Sequence, residues 1–238
     1  MKLYDNLIDE TMLSLGEGIP ERSLPIPKRR WKCNENSEFI MARDAAVELG
    51  GGGEPSVNYT CPTTSGKVTK DEILLYGSDI SEIKTNIAFA RIVILETADL
   101  GEETDQEMAF RAIRNLDFVR YHVFPKGYMV RVSAQSNQEQ VRISRAALNA
   151  GIDFAQVGAA YIAKYKEVSL VKNVRIIFVT DRKLVEALRP NADKADSITK
   201  TLTHILDGLP TDCGHCSMKS VCDEVDGMRE LHLGKRSK

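Results

Sequence analysis

The sequence predicts an α+β protein: a mixed β-sheet flanked by helices, with a small strand-rich amino-terminal part and a short carboxy-terminal tail carrying cysteines. Three observations predict it. Two nearly unbroken apolar runs, 87–95 and 174–179, suit strands buried on both faces. The segments between them repeat apolar residues at helical spacing. Three of the five cysteines crowd into residues 213–222. Strands and helices alternate too loosely to demand a wholly parallel sheet.

In chain order, the first 85 residues hold most of the prolines and only short apolar stretches, among them Ala45 to Leu49. Ile73-Leu-Leu-Tyr76 reads as a strand stopped by Gly77. The four glycines at 50–53 read as a flexible connection, since they lack the strand-to-helix setting of a dinucleotide loop. The run at 87–95 is interrupted only by Arg91. From Asp105 to His122, apolar residues recur at Met108, Ala109, Ala112, Ile113 and Leu116, which predicts a helix. Tyr128 to Val132 alternates like a strand. Ser136-Asn-Gln-Glu139 has the form of a capping box, in which serine and glutamate side chains satisfy each other's backbone N–H groups. It predicts a helix from about 137 to 149, ended by Gly151.

Asp153 can cap a further helix to about Lys166, and Asp181 another to about Leu188. Pro190 then breaks the chain before a helix from about Ala192 to Leu206. The expected organisation is a strand-rich part at 1–85, an α/β domain at 86–208 and a cysteine-rich tail at 209–238.

Charge excludes some functions. With 32 Lys+Arg against 34 Asp+Glu the net charge is −2, so there is no global attraction to nucleic acid or to membrane surfaces. Apolar residues at 42% suffice for a large core, and no run approaches the 18 apolar residues of a bilayer span. The first fifteen residues carry Asp5, Asp9 and Glu10, unlike a secretory signal. The expected setting is cytoplasmic, and five cysteines without a signal argue against a disulfide framework.

The tail carries the strongest chemical signal. Cys213 and Cys216 have the Cys-x-x-Cys bite of a single inorganic centre, and Cys222 lies close enough to supply a third sulfur. Soft thiolates suit a [4Fe–4S] cluster or zinc. Either wants a fourth ligand: His215 or His232 for zinc, Cys33 or Cys61 for a cluster. Thiol–disulfide exchange is the weaker reading, because a thioredoxin-like motif follows a strand and opens a helix.

The stretches Arg43-Asp-Ala-Ala-Val-Glu-Leu-Gly-Gly51, Tyr76-Gly-Ser-Asp-Ile80, Val141-Arg-Ile-Ser-Arg-Ala-Ala-Leu-Asn-Ala-Gly151, Tyr161-Ile-Ala-Lys-Tyr-Lys166 and Val174-Arg-Ile-Ile-Phe-Val-Thr-Asp181 occur in one order. Together they resemble the middle domain of acetyl-CoA synthase, the β subunit of carbon monoxide dehydrogenase/acetyl-CoA synthase complexes. The resemblance runs from about Arg43 to Cys222. It places Cys213 and Cys216 at the first two of four cluster ligands. Cys222 comes sooner than the family's third ligand, and the Cys-Gly-Cys that holds the outer nickel does not appear. The resemblance therefore implies an abbreviated cluster with the nickel-binding domain missing.

What it implies for function is anaerobic one-carbon metabolism: part of a CO-methylating acetyl-CoA synthase-type acyltransferase, incomplete alone. The implied ligand is coenzyme A or a one-carbon-carrying partner. Arg142 matches the family's Arg-Ile-Ser motif, and Arg145, three residues on, would share a face of the expected helix. The Lys28-Arg-Arg-Trp-Lys32 run is a second place for the phosphates of coenzyme A, or simply a solvated basic loop. The alternative is a non-catalytic docking or assembly module, with a structural zinc or cluster, for a corrinoid protein or a dehydrogenase subunit.

Overall fold

A computed structural model describes residues 3–16, 21–99, 106–132 and 139–207. Its strands are β1 (Arg22–Leu24), β2 (Ala45–Leu49), β3 (Ser56–Thr63), β4 (Glu72–Tyr76), β5 (Phe89–Thr97), β6 (Tyr128–Val132), β7 (Glu139–Ser144) and β8 (Val171–Val179). The helices are α1 (Asp5–Gly16), α2 (Gln106–Val119), α3 (Arg145–Asn149), α4 (Phe154–Tyr165), α5 (Arg182–Ala187) and α6 (Arg189–Asp207). The expected α+β class is what forms, with a mixed sheet and helices on its flanks.

The larger sheet has the order β1-β4-β8-β5-β3. The pairs β3–β5 and β4–β8 are parallel, whereas β5–β8 and β1–β4 are antiparallel. It takes strands from both sides of residue 85. The smaller sheet, β2-β7-β6, is antiparallel throughout. All nine residues of β5 are buried, because both faces of the large sheet are covered. Phe89, Val93 and Leu95 face α4 and the small sheet; Ala90, Ile92 and Ile94 face α1, α5 and α6.

Helix α4 begins where the sequence places it, with the Asp153 carboxylate accepting from Gln156 N–H at 2.7 Å. Phe154, Val157, Tyr161 and Tyr165 form its core stripe. Gly158 lets it approach the sheet: a Cβ there would lie 2.8 Å from the Ile73 side chain. Asp181 caps α5 in the same manner. Pro190 sits in the first turn of α6, where its missing N–H costs nothing, so the helix starts at Arg189.

Two further sequence expectations fail. The segment 139–149 is not one helix. Glu139–Ser144 is strand β7, buried at every second residue, and the short α3 begins only after Ser144, whose hydroxyl accepts from Ala147 N–H. The capping-box pattern is a local signal, and here the period-two alternation of Glu139, Val141 and Ile143 against β2 and β6 prevails. Ser136 lies outside the described residues. The glycine run, read as flexible, is a tight turn: Gly50 has φ +64°, and a Cβ on it would stand 2.5 Å from Ser56 Cβ.

Candidate functional site

The cysteines of the proposed metal centre, Cys213, Cys216 and Cys222, lie outside the described residues, as do His215 and His232. Among the described residues no group of three His, Cys, Asp or Glu side chains could hold a metal ion. The two cysteines considered as a fourth ligand differ. Cys61 is fully buried in β3, and burial, then the nearby Asp117, push its thiol well above its usual range. Cys33 is exposed and lines a cavity of about 360 Å³ with Arg30, Trp31, His122 and Lys164. The end of the basic run is therefore at that cavity, where the Trp31 indole donates to the Lys126 carbonyl at 2.9 Å.

The arginines proposed for coenzyme A do not share a helical face. Arg142 is on strand β7; its Nε donates to Glu48 Oε1 at 2.5 Å, and the guanidinium also donates to the Ile40 carbonyl at 3.0 Å. Its charge is met by β2. Arg145 opens α3 and is exposed.

The described residues concentrate their buried charge elsewhere. Arg91, on β5, is 1% exposed. Its guanidinium donates to Glu139 at the start of β7 and to the Tyr161 hydroxyl of α4, and lies 4.5 Å above the Tyr161 ring. Burial works against the charge, but Glu139 and the surrounding tyrosines outweigh it and hold the arginine firmly protonated. Next to the pair is Arg120, in the turn after α2. It donates to Asn58 Oδ1 at 2.5 Å, to Asp117 Oδ2 at 3.2 Å and to the Tyr121 hydroxyl at 2.8 Å. Its Nε stands 3.6 Å from Glu139 Oε1. Four charges from β5, β7 and the α2 end thus form one network.

Arg120 and Asp117 also line a cleft of about 440 Å³ between β3, the end of α2 and the first half of α6. Burial raises the Asp117 carboxyl, Arg120 opposes the shift, and Glu139 adds to it. The folded chain therefore binds that proton more readily than the unfolded one. Stability from this group is present below the ordinary aspartate range and is lost as the pH rises through its raised value. Asp117→Asn is expected to flatten this dependence, measured as Tm against pH; an unchanged slope would assign the titration to another group. Perturbed acids in a cleft mark candidate functional sites.

A family profile described as CO dehydrogenase/acetyl-CoA synthase complex beta subunit matches residues 33–185. The chain belongs to this family. Within the CO dehydrogenase/acetyl-CoA synthase beta-subunit family, it is 30% identical over 156 residues to the acetyl-CoA decarbonylase/synthase complex subunit beta of Archaeoglobus fulgidus, covering 63% of this chain and 28% of that protein. It is 24% identical over 206 residues to the carbon monoxide dehydrogenase/acetyl-CoA synthase subunit alpha of Moorella thermoacetica, covering 84% of this chain and 27% of the relative. The chain thus spans under a third of each relative's length. Among the described residues no helix is long and apolar enough to cross a membrane.

The family match takes in Arg91, Asp117, Arg120 and Glu139, none of which the sequence reading chose. One signal was available. A charged residue inside a run buried on both faces must meet a counter-charge. Arg91 met that description, but its partner lies 48 positions away, beyond any local pattern.

Proposed function

We propose that this chain is a carbon monoxide dehydrogenase/acetyl-CoA synthase-related iron–sulfur protein of anaerobic one-carbon metabolism. In this reading Cys213, Cys216 and Cys222 hold a [4Fe–4S] cluster, and the folded domain binds coenzyme A or a one-carbon-carrying partner, such as a corrinoid protein or a dehydrogenase subunit. The carrying observation is the family match over 33–185, with a Cys-x-x-Cys and a third cysteine following it in the chain. Three thiolates within ten residues are a donor set such a cluster can use. Bound there, a cluster supplies an iron centre for electron transfer or for ligation of a partner's group. For coenzyme A the exposed Arg145 is the better of the two arginines, since Arg142 already serves Glu48 and Ile40.

Protein prepared without oxygen is expected to be brown, to contain iron and inorganic sulfide in cluster stoichiometry, and to lose both in Cys213→Ser and Cys216→Ser. Calorimetric titration with coenzyme A is expected to give saturable heat that Arg145→Ala weakens. Colourless protein with one zinc per chain and no heat with coenzyme A would replace this reading with that of a docking or assembly module. The engagement of Arg142 by Glu48 is the observation that favours that second reading.

A further inference from the structure

Residues 32–34 run antiparallel to residues 124–126, a pairing that no sequence pattern announces. The Lys126 N–H donates to the Lys32 carbonyl and the Asn34 N–H to the Phe124 carbonyl, both at 2.8 Å. Lys126 thereby joins the basic run Lys28-Arg-Arg-Trp-Lys32 from far along the chain. Trp31 anchors that run, packing on the core and donating its indole N–H to the Lys126 carbonyl. Lys28, Arg29, Arg30, Lys32 and Lys126 are all exposed, and among the described residues none of them forms an ion pair. Of the acids alongside, Glu38 is engaged by the Gly127 N–H and the Asn34 side chain, which leaves Glu35. A chain of net charge −2 is thus locally cationic here.

An apolar pair stands beside these cations. Glu38 is bonded to Gly127, the residue after Lys126, so Phe39 and Met41 belong to the same stretch of surface. They are 80% and 38% exposed, whereas Ile40 between them is buried. The backbone that presents them is pinned. The Ile40 N–H donates to the Met129 sulfur at 3.1 Å, and its carbonyl accepts from Arg142 at 3.0 Å. The Met41 carbonyl accepts from the Asp44 N–H at 2.9 Å. A phenylalanine held in water by a fixed loop gains free energy when covered, with little loop entropy to lose.

We propose that this surface docks an acidic segment of a partner protein, with apolar residues of that segment packed on Phe39 and Met41. Three observations select that occupant. The unpaired cations call for an anionic partner. Five of them, Lys126 included, are more than one small anion neutralises. The apolar pair sets the contact apart from one made by phosphates alone, because aromatic, methionine and arginine side chains are enriched in protein interfaces. The inference rests on the partner-binding part of the proposed function and not on the cysteines, so iron-free protein serves in the test.

The probe is a fluorescein-labelled dodecapeptide repeating glutamate, glutamate, leucine, followed by anisotropy with the full chain. It is expected to bind saturably, and about fivefold or more tightly than the same peptide with serine for leucine. Phe39→Ser is expected to abolish that preference. Lys126→Glu is expected to weaken binding as much as Lys32→Glu does, which a plain linear basic run would not require. Leu13→Ser, at a side chain 68% exposed on α1, is expected to change nothing. Absence of saturable binding overturns the proposal, as does unchanged binding by Lys126→Glu. Equal binding of the leucine and serine peptides overturns it as charge attraction alone. Tighter binding of an oligothymidylate overturns it in favour of nucleic acid. These failures leave the iron–sulfur reading standing, because iron and sulfide are assayed separately, and loss of the cluster likewise leaves this surface standing.

Discussion

Arg91→Met is expected to lower the stability of the fold by about 3–5 kcal/mol, the usual cost of leaving one partner of a buried ion pair uncompensated. For a chain of this size that is roughly 6–20 °C in Tm. The cause is specific. Glu139 is 3% exposed and would lose the guanidinium that holds it, keeping only the more distant Arg120 Nε at 3.6 Å. Tyr161 would lose its donor in the same step. The informative companion is the double variant Arg91→Met, Glu139→Leu, which removes both charges from the interior. Because desolvation of a buried pair offsets much of its Coulombic gain, the double variant is expected to be more stable than the single one. Urea unfolding of the four proteins in the cycle measures this. A single variant costing less than about 1 kcal/mol would mean that the pair behaves as an exposed one.

Phe154→Ala is the second large effect, at about 3–5 kcal/mol for an aromatic side chain removed from a closed core. Phe154 is fully buried at the start of α4, its ring 4.5 Å from that of Phe178 and 6.0 Å from that of Phe89. These rings tie α4 to adjacent strands β8 and β5, so the loss loosens the layer that also carries Tyr161. Phe118→Ala gives the contrast. That ring is 51% exposed at the cleft, and its removal is expected to change stability by no more than about 0.5 kcal/mol. Thermal unfolding of both variants separates the cases; similar losses would contradict the burial of one and the exposure of the other.

Much of the fold was legible because its signals are local. Asp153 and Asp181 cap the helices expected of them, and the apolar runs around Ile92 and Ile177 became neighbouring strands. The failures share one cause. Residues 139–144 carry a plausible helix-start signal, but partners on β2 and β6 decide their conformation, and those partners are set by the tertiary fold. Gly50 looked flexible because a sequence does not show that Ser56 closes over it. The same distance effect hid the charged network. Glu139 was read as a cap for its own helix, whereas it serves an arginine two strands away. The arginine pair chosen for coenzyme A depended on that helix, so when the helix gave way to β7 the shared face went with it.

The position of β8 has a consequence for biosynthesis. The antiparallel pair β1 and β4 forms one half of the large sheet, the parallel pair β3 and β5 the other, and only β8 bridges them. During translation both halves leave the ribosome long before residues 171–179 do. Until that keystone arrives, each half exposes an unpaired apolar flank, Ile73 to Tyr76 on one and Ala90 to Leu95 on the other. Pairings of such long sequence separation form slowly, and open flanks of this kind invite aggregation. The nascent chain therefore stays open to mispairing until β8 docks between the two halves.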